Sequence, residues 1–206
     1  MSSSPALGSV SRWLRARAAL RIWVALVLVG MTFSHRGAGQ ASQLPVSVQA
    51  DLMVKVAGFD RNFRTRAGAK VVVILAAASD DASAMRPIME MKSALARLST
   101  IADLPHEEHV VTGASASSLA TITRERRAAI VYLGPGYGPQ VGAVREVFSS
   151  INVLTVAAVP DYVPSGVVLG FDLVSGRPKL LVHVPQARKQ QVSFPGSVLN
   201  LMKVYP

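Results

Sequence analysis

Residues 71–76 read Val-Val-Val-Ile-Leu-Ala (VVVILA), bounded by Lys70 on one side and Ser79-Asp80-Asp81 on the other. A continuous apolar, β-branched run of that length, closed by turn residues, suits a strand buried on both faces, as in a parallel sheet. Two similar runs follow, Ala128 to Leu133 (AAIVYL) and Asn152 to Val159 (NVLTVAAV). Helical periods lie around and between them. Val48, Leu52, Val56 and Phe59 form a stripe over residues 46–58, and Met85, Ile88, Met91, Leu95 and Leu98 form another over 83–98. Pro87 is expected in the first turn of that second helix, where its missing N–H costs nothing. Residues 109–112 read as a short strand, Ser115 or Ser117 as the cap of a helix through Arg124, and Pro139 as the start of a helix to Phe148. Strand and helix alternating at this spacing predict an α/β fold: a layered domain with a mostly parallel central sheet and helices on both faces.

The pattern changes after Pro160. Val167 to Val174 and Lys179 to Val184 flank Ser175-Gly176-Arg177-Pro178, which reads as a β-hairpin on a four-residue turn. Val198, Leu201, Met202 and Tyr205 share a helical face, so a C-terminal helix is expected. Asp60 to Lys70 (DRNFRTRAGAK) reads as a basic turn leaving the first helix.

Charge is unevenly distributed along the 206 residues. The chain carries 22 Lys+Arg and 12 Asp+Glu, a formal net charge of +10, yet no acidic residue precedes Asp51. Arg12, Arg15, Arg17 and Arg21 lead into the apolar run Ile22 to Phe33 and then a small, polar stretch ending at Ala41. That order is a secretory signal peptide over residues 1–41, cleaved near Ala41, with the mature domain at 42–206. The apolar run is short for a spanning helix, so a retained anchor is the weaker reading. Five of the 22 basic groups are the arginines of that segment, so the mature domain holds 17 basic and 12 acidic groups, net +5. Such a balance, without interleaved aromatics in its basic clusters, argues against nucleic acid as a partner. Cysteine is absent, which excludes disulfides, thiolate catalysis and Cys-ligated metal.

Several motifs bear on chemistry. Gly134-Pro-Gly-Tyr-Gly-Pro139 joins a strand to a helix, where α/β folds bind phosphates, but its two prolines remove donors and its spacing is not that of a dinucleotide loop. Gly113-Ala-Ser115-Ala-Ser117 lacks the second glycine of a nucleophile elbow, so capping accounts for its serines and no enzyme activity is expected. His106-Glu107-Glu108-His109 follows Pro105 and reads as a solvated loop without a third ligand element. Met85, Met89 and Met91 read as core filling. A ligand cleft, if the fold has one, is expected at the strand carboxyl ends around Ser115, Gly136 and Tyr137.

The last third of the chain carries an ordered series: Asn152-Val-Leu-Thr-Val156, Val159-Pro-Asp-Tyr-Val163, Gly166, Gly170-Phe-Asp-Leu173, Gly176-Arg-Pro-Lys-Leu180, Val182-His-Val184, Gln186-Ala-Arg188 and Val198 to Val204. With Gln49-Ala50, Lys55-Val56 and Phe59-Asp60-Arg61-Asn62 before it, this series resembles the YfiR family of exported bacterial proteins over about residues 46–204. The resemblance implies a periplasmic regulator, often a homodimer, without enzymatic activity or cofactor. Its partner would be the periplasmic domain of an inner-membrane signalling protein, above all a diguanylate cyclase controlling cyclic-di-GMP and biofilm. An outer-membrane lipoprotein would release it. A periplasmic small-ligand-binding protein serving a receptor or histidine kinase is the alternative. The cysteine-free chain departs from the redox-controlled branch of that family. Contact with the partner is expected at two surfaces, the Asp60–Arg66 connector with Asp60 and Arg61, and the Pro160–Gly166 turn with Asp161, Tyr162 and Gly166, because exposed Tyr and Arg favour interfaces.

Overall fold

The structure is a computed structural model and describes residues 44–206. The signal-peptide expectation for residues 1–41 lies outside the described residues. No helix among the described residues is long and apolar enough to cross a membrane.

In chain order the elements are α1 (Val46–Ala57), α2 (Phe63–Ala67), β1 (Val71–Ala77), α3 (Ala82–Leu95), β2 (His106–Thr112), α4 (Ala116–Glu125), β3 (Ile130–Leu133), a 3-10 turn (Gly138–Gln140), α5 (Val141–Phe148), β4 (Leu154–Ala157), a second 3-10 turn (Pro160–Tyr162), β5 (Leu169–Val174), β6 (Arg177–His183), α6 (Val184–Lys189), α7 (Gly196–Leu199) and β7 (Met202–Tyr205). The seven strands form one sheet in the order β2-β1-β3-β4-β5-β6-β7. All neighbouring pairs are parallel except β5 with β6, which run antiparallel as the hairpin requires. The first five strands have the flavodoxin-like doubly wound order, whose direction of winding reverses between β1 and β3.

Alternation along β1 explains the layers. Val71, Val73 and Leu75 face a core shared with α1 and α3, while Val72, Ile74 and Ala76 face a second core shared with α4 and α5. Every residue of β1 is buried, so this one strand feeds both layers. Each such aliphatic side chain adds about 1.5–3 kcal/mol on burial, which a domain without disulfides depends on. One buried polar link ties the sheet to α1: the Tyr132 hydroxyl donates to Gln49 Oε1 at 2.9 Å, and Gln49 Nε2 donates to the Leu44 carbonyl at 2.8 Å. Burial in that core pushes the Tyr132 phenol pKa up, and the phenol stays neutral.

Several local expectations are corrected. The basic connector contains α2, whose Phe63 is buried in the core while its arginines point outward or pair. Pro87 sits in the second turn of α3, not the first, because Asp81 caps the helix by accepting from the Ser83 and Ala84 N–H groups. Residues 106–109 belong to β2 rather than a loop. The hairpin turn has two residues, Ser175 and Gly176, both with positive φ, as a primed two-residue turn demands. The C-terminal stripe is not one helix: α7 is a single turn, and Met202 to Tyr205 instead add strand β7 parallel to β6. Of the three methionines assigned to the core, Met91 is buried and Met89 is 46% exposed.

Candidate functional site

The two ends of the sheet were built from different chemistry. At the carboxyl end, Gly134 to Gly138 turn the chain from β3 into α5. A Cβ on Gly134 would stand 2.9 Å from the Ala76 carbonyl oxygen, and Gly136 has a φ of +95° that a side chain would strain. Those two positions let the loop close down on β1. Tyr137 is then fully buried, its hydroxyl 3.4 Å from the carbonyl oxygens of Ala77 and Ala114. Ser115 lies nearby as the α4 cap, accepting from the Ser118 N–H at 3.2 Å. Ser115, Gly136 and Tyr137 therefore gather at the carboxyl edge as the sequence predicts, but the Tyr137 ring fills the space between them.

Tyr162 is also buried, 7% exposed, and its hydroxyl accepts from the Gly138 N–H at 3.1 Å. The expectation of an exposed Tyr162 is corrected: the ring belongs to the core beneath the second 3-10 turn. Burial raises the phenol pKa of both Tyr137 and Tyr162, so neither ionises near neutral pH. Gly166 is buried against the Arg145 side chain, with a φ of +112°, and a Cβ there would meet the Arg145 stem. Asp161 alone of that turn's expected contact residues is exposed.

The other end carries charge. Asp60 is 4% exposed and not available to a partner, which corrects its place among contact residues. Its Oδ2 meets Arg66 NH1 at 2.6 Å, and both side chains are essentially buried. Asp60 Oδ1 accepts from the backbone N–H groups of Ser193 at 2.8 Å and Asn62 at 3.1 Å. Arg66 spends its remaining reach on Asn152 Oδ1, from Nε at 2.7 Å, and on the Gln191 carbonyl, from NH2 at 3.1 Å. Asn62 Nδ2 donates to that same carbonyl at 2.7 Å. One ion pair thus ties the end of α1, α2, the start of β4 and the segment after α6 into a single junction. Arg61 stands exposed beside it, held by its backbone N–H on the Ser193 carbonyl at 3.0 Å.

A polar cleft of about 410 Å³ opens on this junction, lined by Asn62, Thr65, Asn152, Arg188, Gln191 and Ser193, with Val192 as its apolar wall. The expected Asp60–Arg66 contact turn includes two residues of this lining, Asn62 and Thr65, while Asn152, Arg188 and Gln191 to Ser193 lie outside the expected surfaces. A second cleft, about 540 Å³, lies between the start of α1 and the outer side of α3, lined by Arg86, Met89, Glu90 and Arg97 among others.

The His106–His109 segment cannot converge on one ion, because strand alternation splits it. His106 meets Glu108 at 2.5 Å and the Leu98 carbonyl at 3.0 Å on one face. Glu107 and His109 lie on the other, where Lys70, Glu107, His109 and Arg126 form a surface chain of contacts. Contact with Lys70 and His109 holds the Glu107 pKa below its ordinary range. Among the described residues no group of three or more His, Asp or Glu could hold a metal.

The model of the YfiR/HmsC-like family matches residues 47–203. No curated protein matches. Nine chains of solved structures match. One is the ABC domain in complex with L-Trp from Streptococcus pneumonia, 12% identical with a TM-score of 0.54, covering 79% of this chain and 62% of that one. Another is a conserved domain protein from Vibrio cholerae o1 biovar eltor, 12% identical with a TM-score of 0.52, covering 80% of this chain and 62% of that one. At such identity the likeness shows the fold alone, and this chain spans about three-fifths of the length of either structure.

Proposed function

The chain belongs to the YfiR/HmsC-like family, and from that premise we propose that it is a non-enzymatic periplasmic regulator of a membrane signalling protein. The observation that carries this reading is the extent of the match, which takes in all of the described fold except three residues at each end. In this reading the domain binds the periplasmic part of an inner-membrane diguanylate cyclase and holds it inactive, lowering cyclic-di-GMP and biofilm formation. An outer-membrane lipoprotein competes for the regulator and relieves the repression. Such a regulator can bias its target only by the difference between its affinities for the target's two states.

Arg61 and Asp161 are the contact residues of this proposal, since both are exposed on turns anchored by buried neighbours. Asp60, Tyr162 and Gly166 act beneath them, holding the turns in shape. The test is capture of the protein by the immobilised periplasmic domains of its host's membrane diguanylate cyclases and histidine kinases. Arg61→Glu is expected to weaken capture about tenfold or more while the circular dichroism spectrum is unchanged. Capture by no such domain, with the fold intact, sinks the proposal. The ligand-binding alternative is favoured by one observation, the polar cleft beside the Asp60–Arg66 pair.

A further inference from the structure

The cleft over the Asp60–Arg66 junction has the construction of a binding site rather than of a surface dent. Its hydrogen-bonding groups are set from below. Asn152 Oδ1 is committed to the buried Arg66 Nε, so its Nδ2 is left as a donor toward the cleft. Asn62 is fixed in the opposite sense: its Nδ2 is committed to the Gln191 carbonyl, which leaves its Oδ1 as an acceptor. The hydroxyls of Thr65 and Ser193 and the amide of Gln191 complete the lining and serve in either role. These side chains come from three separate stretches of chain, and the ion pair beneath them is itself withdrawn from solvent.

The charge of the lining selects the ligand. No carboxylate lines the cleft. Arg66 is neutralised by Asp60 at 2.6 Å. Arg188 is exposed in the last turn of α6 and takes part in none of the ion pairs of the described residues. One uncompensated guanidinium matches one negative charge, and its planar fork fits a carboxylate with two parallel N–H bonds. Val192 is the only apolar side chain in the lining, so an aliphatic or aromatic body would find little to bury against. The volume, about 410 Å³, falls in the lower range of small-molecule sites.

We propose that this cleft binds a small hydroxylated monocarboxylate, of the sugar-acid or hydroxy-acid class, with its carboxylate on Arg188 and its hydroxyls on Asn62, Thr65 and Asn152. The inference deepens the ligand-binding alternative and does not depend on the membrane partner being a cyclase.

The test uses the protein as purified from its host, with D-gluconate, D-glucose and inorganic phosphate as probes, read by amide chemical shifts and by calorimetry. Gluconate is expected to move the amides of residues 62, 65, 152, 188 and 191–193. Glucose, which lacks the charge, is expected to bind about tenfold more weakly or worse, and Arg188→Gln to cost gluconate binding a similar factor. Asn152→Asp keeps the acceptor that Arg66 needs and puts a like charge in the cleft, so it is expected to weaken gluconate binding while leaving the fold unchanged. Shifts centred elsewhere, no gluconate binding, indifference to Arg188→Gln, or tighter binding of phosphate would each overturn the proposal. Partner capture is measured on the same preparations. Loss of gluconate binding with capture intact rejects the ligand site alone, and the converse rejects the partner reading alone.

Discussion

The two ends of the central sheet invert what a doubly wound fold leads one to expect. Such folds bind ligands outside the carboxyl ends of their strands, where winding reverses and helix N-termini point inward. Here that address is occupied by the protein itself. Tyr137 is driven into the space beside the end of β1, and Tyr162 receives the backbone N–H of Gly138. The opposite end, which in these folds serves stability, holds the buried Asp60–Arg66 pair and a polar cleft with a free arginine on its rim. Topology supplies an address with converging backbone groups, and side chains then decide whether it stays open. At the carboxyl end two buried neutral phenols fill the space under the Gly134–Gly138 loop; at the amino end an ion pair and its amide partners cannot collapse together as aliphatic side chains do.

The contrast is broken most directly by removing its charged anchor. Asp60→Ala leaves the Arg66 guanidinium buried without a counter-charge and strands the N–H groups of Asn62 and Ser193. Losing one member of a buried pair costs about 3–5 kcal/mol, so the urea midpoint should fall sharply. A loss below about 1 kcal/mol would mean water already reaches the pair and the junction is not dry. At the other end, Tyr137→Ala empties a fully buried aromatic site and is expected to cost about 3–5 kcal/mol, at the lower part of that range if the glycine loop settles inward. Tyr137→Phe should cost less than about 1 kcal/mol, because both hydroxyl contacts are long at 3.4 Å. If Tyr137→Ala gains affinity for small ligands at the carboxyl edge, the seal is all that separates this fold from the usual binding address.

The sequence announced the centre of the molecule better than its borders. β1, β3 and β4 lie in continuous apolar runs because both of their faces are covered, and the Ser115 cap is a local device that three residues suffice to specify. The first half of β2 reads as loop because an edge strand, with one side open, can carry an unbroken run of polar residues, here His106 to His109, all half-buried. β7 was missed because Val198, Leu201, Met202 and Tyr205 satisfy a helical spacing, while the four residues of the strand are too few to show a period of two. Asp60 read as exposed because the residue that buries it, Arg66, is six positions on, a spacing without local meaning. Its other partners lie on residues 62 and 193. The cleft draws on residues 62–65, 152 and 188–193, so no motif could have named it. Tyr137 and Tyr162 stood in turns, where composition favours exposure, and only tertiary packing put their rings inside.

A smaller effect comes from His183, which sits where β6 becomes α6. Its Nδ1 accepts from the Gln186 N–H at 3.1 Å, so the neutral ring caps the helix and the other nitrogen carries the proton. Burial, with the Arg145 charge nearby, holds its pKa below the ordinary histidine value. The unfolded chain therefore binds a proton that the folded one refuses. Stability from this group is fully present above the ordinary histidine pKa and is lost as pH falls through it toward the depressed folded value. His183→Asn keeps a capping oxygen but cannot titrate there, so its stability should decline less than that of the natural protein between pH 7 and pH 5. Parallel decline of the two proteins would assign the acid sensitivity elsewhere. Loss of the cap altogether, in His183→Ala, is expected to cost about 1 kcal/mol.

The smallest change touches the cleft alone. Gln191 follows the last turn of α6 with a φ of +57°, a left-handed conformation that costs a side-chain-bearing residue about 1–2 kcal/mol and that glycine adopts freely. Its carbonyl accepts from both Asn62 and Arg66, and that role needs only backbone. Gln191→Gly should therefore leave the junction intact and raise stability by about 0.5–1 kcal/mol, after the larger chain entropy of glycine is deducted. The amide is removed from the lining in the same step. A stabilised variant that binds gluconate more weakly would show that the cleft keeps this side chain against the preference of its own backbone. A stabilised variant that binds gluconate as well as before would leave the amide with no part in recognition. Destabilisation would show that the Gln191 side chain holds the junction itself, and the two ends of the sheet would then differ less than the ion pair suggests.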